Sequence, residues 1–283
     1  MPVLVPRSLA EAVQMVSSEP SALLLAGGTD LLVETNSGHR TVDSVVALDR
    51  VPELRTWSSD RTARTVFVGS GVPYSELMRG ELAALVPALA QASRTVGSPQ
   101  IRHAGTLGGN LGTCSPAGDA LPVLAALDAA VHLVSASGER VIPFSAFMVG
   151  VKRNARAPGE IISGVTLPVL DGWQGYSKVG VRNAMVIATA SSCLAVDRSQ
   201  RSVRVALGSV GPVILRCPEA EGLLASRADW ERESVSDDIV SEFAQQCAAA
   251  ARPIDDHRST ASYRRHAIGV MAARQARRAF PHG

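Results

Sequence analysis

The sequence predicts an α+β chain of two domains, and three observations predict it. Short helix-like and strand-like stretches alternate as far as residue 168; β-rich stretches then follow one another before helical patterns take over from about Pro218. Strands followed by a run of helices mark a separate α+β unit and not a helical bundle. At 283 residues and 46% hydrophobic, the chain also has apolar surface for a large core, and its length favours two domains over one. The boundary falls near Pro168 to Gly172.

From the N-terminus, SLAEAVQMVSS (8–18) sets Leu9, Val13 and Val16 at helical spacing behind Ser8 as a cap, and leads through Pro20 into the strand-like ALLLA. TVDSVVAL and TVFVGSG predict strands. ELAALVPALAQAS predicts a helix entered or bent at Pro87, because proline lacks the N–H that a helix interior needs. AAVHLVSASGERVIPF predicts two strands around a Ser-Gly turn. Beyond EIISGVTLP (160–168), GWQGYSKVGVRNAMVIATASSCLAVDRSQRSVRVALGSVGPV predicts three β-rich stretches, turned at Arg182-Asn183 and around Asp197 to Gln200. GSGVPY (69–74) lacks the third glycine of a GxGxxG pattern and reads as a turn at a strand end.

Composition excludes several function classes. Charge is nearly balanced, 28 basic against 26 acidic residues, so the net +2 gives no electrostatic case for nucleic acid as partner. No apolar run reaches about 18 residues, so no transmembrane segment is expected. The opening MPVLVPRSLAEAV lacks the basic, apolar and cleavage regions of a signal peptide, and a cytoplasmic location is the expectation. Cys114, Cys193, Cys217 and Cys247 form no CxxC and no Cys/His cluster at metal-ligand spacing; reduced thiols and no iron or zinc site are expected. The one local charge excess is C-terminal, where YRRHAIGVMAARQARRAF places Arg264, Arg265, Arg274, Arg277 and Arg278 on a helix. It reads as a solvated face that complements the helix dipole, with a partner-docking surface as the alternative.

Two glycine loops carry the chemical signal. In LLLAGGTDLL (23–32) an apolar strand delivers Ala26, Gly27, Gly28, Thr29 and Asp30 to a helix starting at Thr29 or Asp30. Paired glycines permit positive φ and close backbone approach, so successive N–H groups can converge on a phosphate. The alternative is a plain strand-to-helix turn with a Thr or Asp cap. TLGGNLG repeats the recipe: Thr106 offers a hydroxyl, Gly108 and Gly109 bring backbone amides close, and Asn110 donates through its side chain. Two such loops suit a diphosphate gripped from both sides. Neither carries a Walker lysine, so a bound dinucleotide is a better guest than a hydrolysed triphosphate. Asp119, in SPAGDALPVLAAL, opens an apolar helix with Pro122 in its first turn. On chemistry alone it is an N-cap ahead of a ligand for ribose hydroxyls.

In order and spacing, LLAGGTDLL, IRHAGTLGGN and SPAGDALPVLAALDA resemble the paired FAD-binding signatures of the flavoprotein subunit of molybdenum hydroxylases. That family includes carbon monoxide dehydrogenase medium subunits and the FAD domain of xanthine dehydrogenase. GEIISGVTLP, the lysine and arginine of YSKVGVR, ALGSVGPV and PIDDHRSTASYRRH continue the resemblance over essentially the whole chain. It implies a PCMH-type FAD-binding domain of two α/β subdomains over residues 1–170. Over 171–283 it implies a C-terminal α+β domain of the carbon monoxide dehydrogenase flavoprotein type, a β-sheet with helices.

The family's functional residues carry over one by one. Leu25, Ala26, Gly27, Gly28, Thr29, Asp30 and Leu31, with Thr106, Leu107, Gly108, Gly109 and Asn110, would hold the FAD pyrophosphate. The resemblance makes Asp119 a ligand of the cofactor's ribose or adenine end, in place of the cap. Ile162 would lie with its backbone beside the cofactor, Lys178 would contact it and tune the flavin, and the ring would sit near Val96 to Ile101. His103 departs from the family's usual asparagine and is read as making a structural hydrogen bond. Val96 stands where some xanthine dehydrogenases carry an aromatic, which leaves the electron acceptor open.

The chain has neither cysteine clusters for a 2Fe-2S centre nor the length of a molybdopterin domain. The resemblance therefore implies one subunit of a larger enzyme. Electrons leave the substrate at molybdopterin in a large partner subunit, pass through a small [2Fe-2S] subunit, reach FAD here, and go on to NAD+ or another acceptor. The flavin carries the redox chemistry, and no protein acid or base is named as catalytic. A purine such as xanthine is the first substrate expectation. Two rivals stay open: a stand-alone FAD-dependent oxidase, for which no general-base motif is seen, and a non-catalytic nucleotide-binding or docking module.

Overall fold

The computed structural model describes residues 2–38 and 41–282. The α+β class is observed, in two compact units whose chain segments interleave. The first draws on Met1–Leu77, Ser98–Cys114 and Asp128–Pro168; the second draws on Met78–Gly97, Ser115–Leu127 and Val169–Gly283.

The first unit holds two sheets. Strands Val3–Leu4, Val45–Ala47 and Leu23–Leu25 pair in parallel with Val45–Ala47 in the centre, where all three of its residues are buried. Helix Leu9–Ser18 packs Ala12 and Val16 into the same core as Val46. Its start follows the sequence reading, with Ser8 Oγ accepting from the Glu11 N–H at 3.1 Å. The larger sheet is antiparallel, in the order Trp57–Asp60, Thr65–Gly69, Ile161–Pro168, Ala130–Ser135, Gly138–Pro143. Strand alternation sends Val66, Val68, Val165, Leu167, Val131 and Leu133 inward, while Phe67, Thr166 and His132 stay partly exposed on the other face. A bulge between Ile162 and Gly164 interrupts the register of Ile161–Pro168.

The second unit is built on four antiparallel strands, Gly172–Val179, Ala190–Asp197, Ser202–Gly208 and Leu215–Arg216. Helices Pro218–Arg227, Asp237–Ala250 and Ala261–Ala279 cover one face with a shared apolar core that includes Leu194, Val205, Phe243 and Ile268. Helices Pro87–Thr95 and Leu121–Ala126 pack against the same strands. The strand Ala190–Asp197 is buried at every position, which is why ASSCLAVD is a run of small and apolar residues without polar alternation. Pro87 resolves the predicted bend: Gly80–Leu85 ends, and proline opens the next helix at its first position.

One detail departs from the sequence reading. Arg264 does not belong to a solvated face: it is 4% exposed and donates to Ser209 O at 2.8 Å and to Asp256 Oδ1 at 2.5 Å. Burial of a guanidinium is tolerated there because a carboxylate and a carbonyl accept hydrogen bonds from its two terminal nitrogens. Arg277 is tied to Asp237 at 2.8 Å, while Arg265, Arg274 and Arg278 are exposed. All four cysteines are buried free thiols; burial pushes Cys114 up to about 11 and raises Cys193 further. Among the described residues, no helix is long and apolar enough to cross a membrane.

Candidate functional site

The first glycine loop leaves the strand Leu23–Leu25 at Ala26 and enters the short helix Leu31–Asn36. Gly27 is there because nothing larger fits: a Cβ on it would stand 1.8 Å from Ala104 O, and Gly28 follows at φ +69. The backbones of the two glycine loops therefore touch just before Thr106, and Thr29 Oγ1 lies toward Gly105. Among the described residues, the N–H groups of Gly27, Gly28, Thr29 and Asp30 meet no acceptor. Four successive donors are thus left without a partner, which is what an anion-binding loop requires. Asp30 does not cap the helix with its side chain; it accepts instead from Thr113 Oγ1 at 3.1 Å.

The second loop is organised differently. Thr106 caps the helix Leu107–Thr113 by accepting from the Gly109 N–H at 3.0 Å, and its carbonyl accepts from Asn110 N–H at 3.1 Å. Leu107 N–H donates to Val72 O at 3.2 Å, and Gly108 N–H donates to Ser70 O at 2.8 Å. The expectation that Gly108 and Gly109 present amides to a phosphate is thus corrected: both amides are spent on holding the loop in place. Gly108 is required for closeness, since a Cβ would lie 2.4 Å from the Ser70 Cβ. What the loop leaves over is Asn110 Oδ1, a buried acceptor without a hydrogen-bond partner.

Ser70 joins this loop to the third sequence-predicted position. Its carbonyl takes the Gly108 N–H, and its own N–H donates to Ser163 O at 3.0 Å, at the bulge beside Ile162. Ile162 is 6% exposed and pairs with Leu133. Residues 25–31, 106–110 and 162 are therefore brought together in the first unit. Ser70 was missed by sequence reasoning, since nothing in a turn serine signals which strands its peptide will bridge.

Asp119 and Lys178 meet in the second unit. Lys178 Nζ donates to Asp119 Oδ2 at 2.7 Å and to Thr95 O at 3.1 Å, and Tyr176 Oη donates to Asp119 Oδ1 at 2.7 Å. Burial pushes the Asp119 carboxyl above its ordinary range, while the Lys178 charge and the donated hydrogen bonds pull it back. Burial and the neighbouring carboxylate both raise Tyr176. The N-cap reading of Asp119 does not hold: Ala120 precedes Leu121–Ala126 with no side-chain cap bond, and Asp119 spends its oxygens on the next strand. Tyr176 was recoverable from sequence, because residues two apart in a strand share a face with Lys178. His103 makes the expected local bond, Nδ1 to Pro99 O at 2.7 Å.

Residues 1–170 match the family model described as the FAD binding domain in molybdopterin dehydrogenase, and residues 176–279 match the CO dehydrogenase flavoprotein C-terminal domain. The chain is 29% identical to the glyceraldehyde dehydrogenase medium chain of Sulfolobus acidocaldarius, over 93% of this chain and 92% of that one. It is 28% identical to the xanthine dehydrogenase FAD-binding subunit of Escherichia coli O157:H7, over 93% and 90%. Among solved structures, carbon monoxide dehydrogenase from Hydrogenophaga pseudoflava, in a form lacking the Mo-pyranopterin moiety of the molybdenum cofactor, superposes with a TM-score of 0.91 at 26% identity. The match covers 100% of this chain and 98% of that one.

Proposed function

Since the chain belongs to the family of FAD-binding domains of molybdopterin dehydrogenases, we propose that the run of unpaired amides from Gly27 to Asp30 receives the FAD pyrophosphate. The chain is the FAD-binding subunit of a molybdenum hydroxylase-type oxidoreductase. The residues present fit the cofactor. Gly27 brings the loop backbone close, four N–H groups stand ready for phosphate oxygens, and the orphaned Asn110 Oδ1 is an acceptor for a hydroxyl or amide of the guest. When bound, FAD supplies the redox step, taking electrons from one partner and returning them to an acceptor.

This chain's own residues bind and orient. Leu25 to Leu31 supply donors, Thr106 to Asn110 set the wall behind them, and the bulge beside Ile162 is tied to that wall through Ser70. Asp119 and Lys178 are kept as cofactor residues on the strength of the sequence resemblance; their mutual ion pair keeps a buried charge neutral. No side chain is assigned as a general acid or base.

The partners in this reading are a large molybdopterin-binding subunit, where substrate is oxidised, and a small subunit carrying 2Fe-2S clusters. NAD+ is the first acceptor to try. The names of the relatives span an aldehyde, a purine and carbon monoxide. Xanthine is kept as the first substrate, with glyceraldehyde and carbon monoxide beside it.

The test is an absorption spectrum of the purified chain, before and after acid release, with the released cofactor weighed by mass spectrometry. Stoichiometric FAD, lost in Gly27→Ala, supports the reading. A chain that stays colourless after incubation with excess FAD overturns it in favour of a docking module.

A further inference from the structure

The wall between the two glycine loops includes a lysine that the flavin reading does not use. Strands Met148–Gly150 and Arg153–Asn154 form a hairpin with Lys152 at its turn. The Lys152 N–H donates to Cys114 O at 3.1 Å, and Asn154 Nδ2 donates to Gly112 O at 3.0 Å. The hairpin is thereby fastened to the C-terminal end of the second-loop helix. From there the Lys152 ammonium bonds the Glu34 carboxylate and lies 3.9 Å from Asp30 Oδ2, the same oxygen that accepts from Thr113 Oγ1.

Asp30 is the last residue in the run of unpaired amides, and Glu34 lies one helical turn beyond it. A pyrophosphate arriving at those amides brings negative charge toward two carboxylates. Those carboxylates oppose the amides, and the single charge of Lys152, close to both, offsets part of that opposition. The cation reaches them from the hairpin fastened to the second-loop helix, so the same contact ties the first loop to that helix.

We propose that Lys152 is a positioning residue of the flavin site: its single charge offsets part of the negative charge of Asp30 and Glu34 and so readies the first glycine loop for a dianionic pyrophosphate. This rests on the assignment of FAD to that loop. Lys152 touches no reacting atom. Its side chain is 49% exposed, so the effect is screened and modest, and salt-sensitive by nature.

The experiment measures FAD affinity of the full, deflavinated chain by quenching of flavin fluorescence. Lys152→Gln is expected to weaken FAD about threefold to tenfold at low salt, with the difference closing at about 0.5 M salt. Lys152→Arg keeps the wild-type affinity. Glu34→Gln in the Lys152→Gln background restores affinity to within about twofold of wild type, a gain that damage to the hairpin cannot produce. Unchanged affinity in Lys152→Gln, a loss insensitive to salt, or no recovery in the double variant each overturn the proposal. A wild-type chain that takes up no FAD at all is a different result, and counts against the flavin assignment itself.

Discussion

Lys178 Nζ and Asp119 Oδ2 stand 2.7 Å apart, with 7% and 8% of their side chains exposed. A carboxylate so enclosed is tolerable only because a cation and the Tyr176 hydroxyl both reach it. Lys178→Met is expected to destabilise the chain by about 3–5 kcal/mol at neutral pH, because Asp119 is left charged and without a cation. Tyr176→Phe is expected to cost about 1–3 kcal/mol by orphaning one oxygen. Denaturant melts across pH check the cause. The Asp119 pKa is raised in the folded state, so the folded form holds its proton longer, and stability falls as pH rises above the ordinary carboxylate value. The Lys178→Met penalty should therefore shrink toward acid; a penalty constant with pH would point to lost packing alone.

Gly27 and Gly112 make a matched pair. A Cβ on Gly27 collides with the Ala104 carbonyl, whereas one on Gly112 meets nothing within 4 Å. Gly27→Ala is expected to reduce FAD retention at least about tenfold, since a loop shift of about an ångström is enough to misplace converging groups. Gly112→Ala, within the helix Leu107–Thr113, is expected to stabilise the chain by about 0.5–1 kcal/mol and leave FAD content unchanged. Flavin-to-protein ratio and melting temperature measure both.

Asn110 Oδ1 is buried and unpaired, so removing it costs the empty fold little. Asn110→Ala is expected to leave the melting temperature of the flavin-free chain unchanged, or to raise it slightly, while weakening FAD about twofold to tenfold. Equal destabilisation of the flavin-free and flavin-loaded chain would assign Asn110 to structure and not to the ligand.

Asp256 is expected to contribute to acid stability. Burial opposes its ionisation, but the Arg258 N–H, the Arg264 guanidinium and the Ser259 N–H outweigh it and hold the carboxyl at about 2. The folded pKa is depressed below the unfolded one, so its contribution is present above the ordinary value and is lost as pH falls through about 2. Asp256→Asn should lower stability at pH 7 and flatten the acid limb of the stability curve. Thermal melts of both chains between neutral and strongly acid pH reveal whether the two curves converge.

Much of this was readable beforehand for local reasons. Ser8 caps a helix because a hydroxyl there satisfies an N–H three residues on, and Pro87 opens a helix because it has no N–H to lose, whereas the Thr106 hydroxyl, read as a ligand for phosphate, caps the next helix instead. The first glycine turn was readable because a strand, paired glycines and a helix follow one another in adjacent residues. What escaped depends on partners far away in sequence. The Gly108 amide is spent on Ser70, which arrives from a strand end. Asp119 looked like a cap until Lys178, 59 residues later, took its oxygen. Arg264 belongs to a run of arginines that looks solvated, and only Asp256 and the Ser209 carbonyl make its burial affordable.

The helices Pro87–Thr95 and Leu121–Ala126 pack on strands that lie later in the chain, from Gly172 onward. A ribosome working at ~5–20 residues per second releases them seconds before that sheet exists. Leu89, Leu121 and Leu124, all nearly inaccessible in the finished fold, are then apolar surface on a nascent chain. A messenger truncated between Leu127 and Gly172 yields a product that carries two sticky helices and no surface to bury them against.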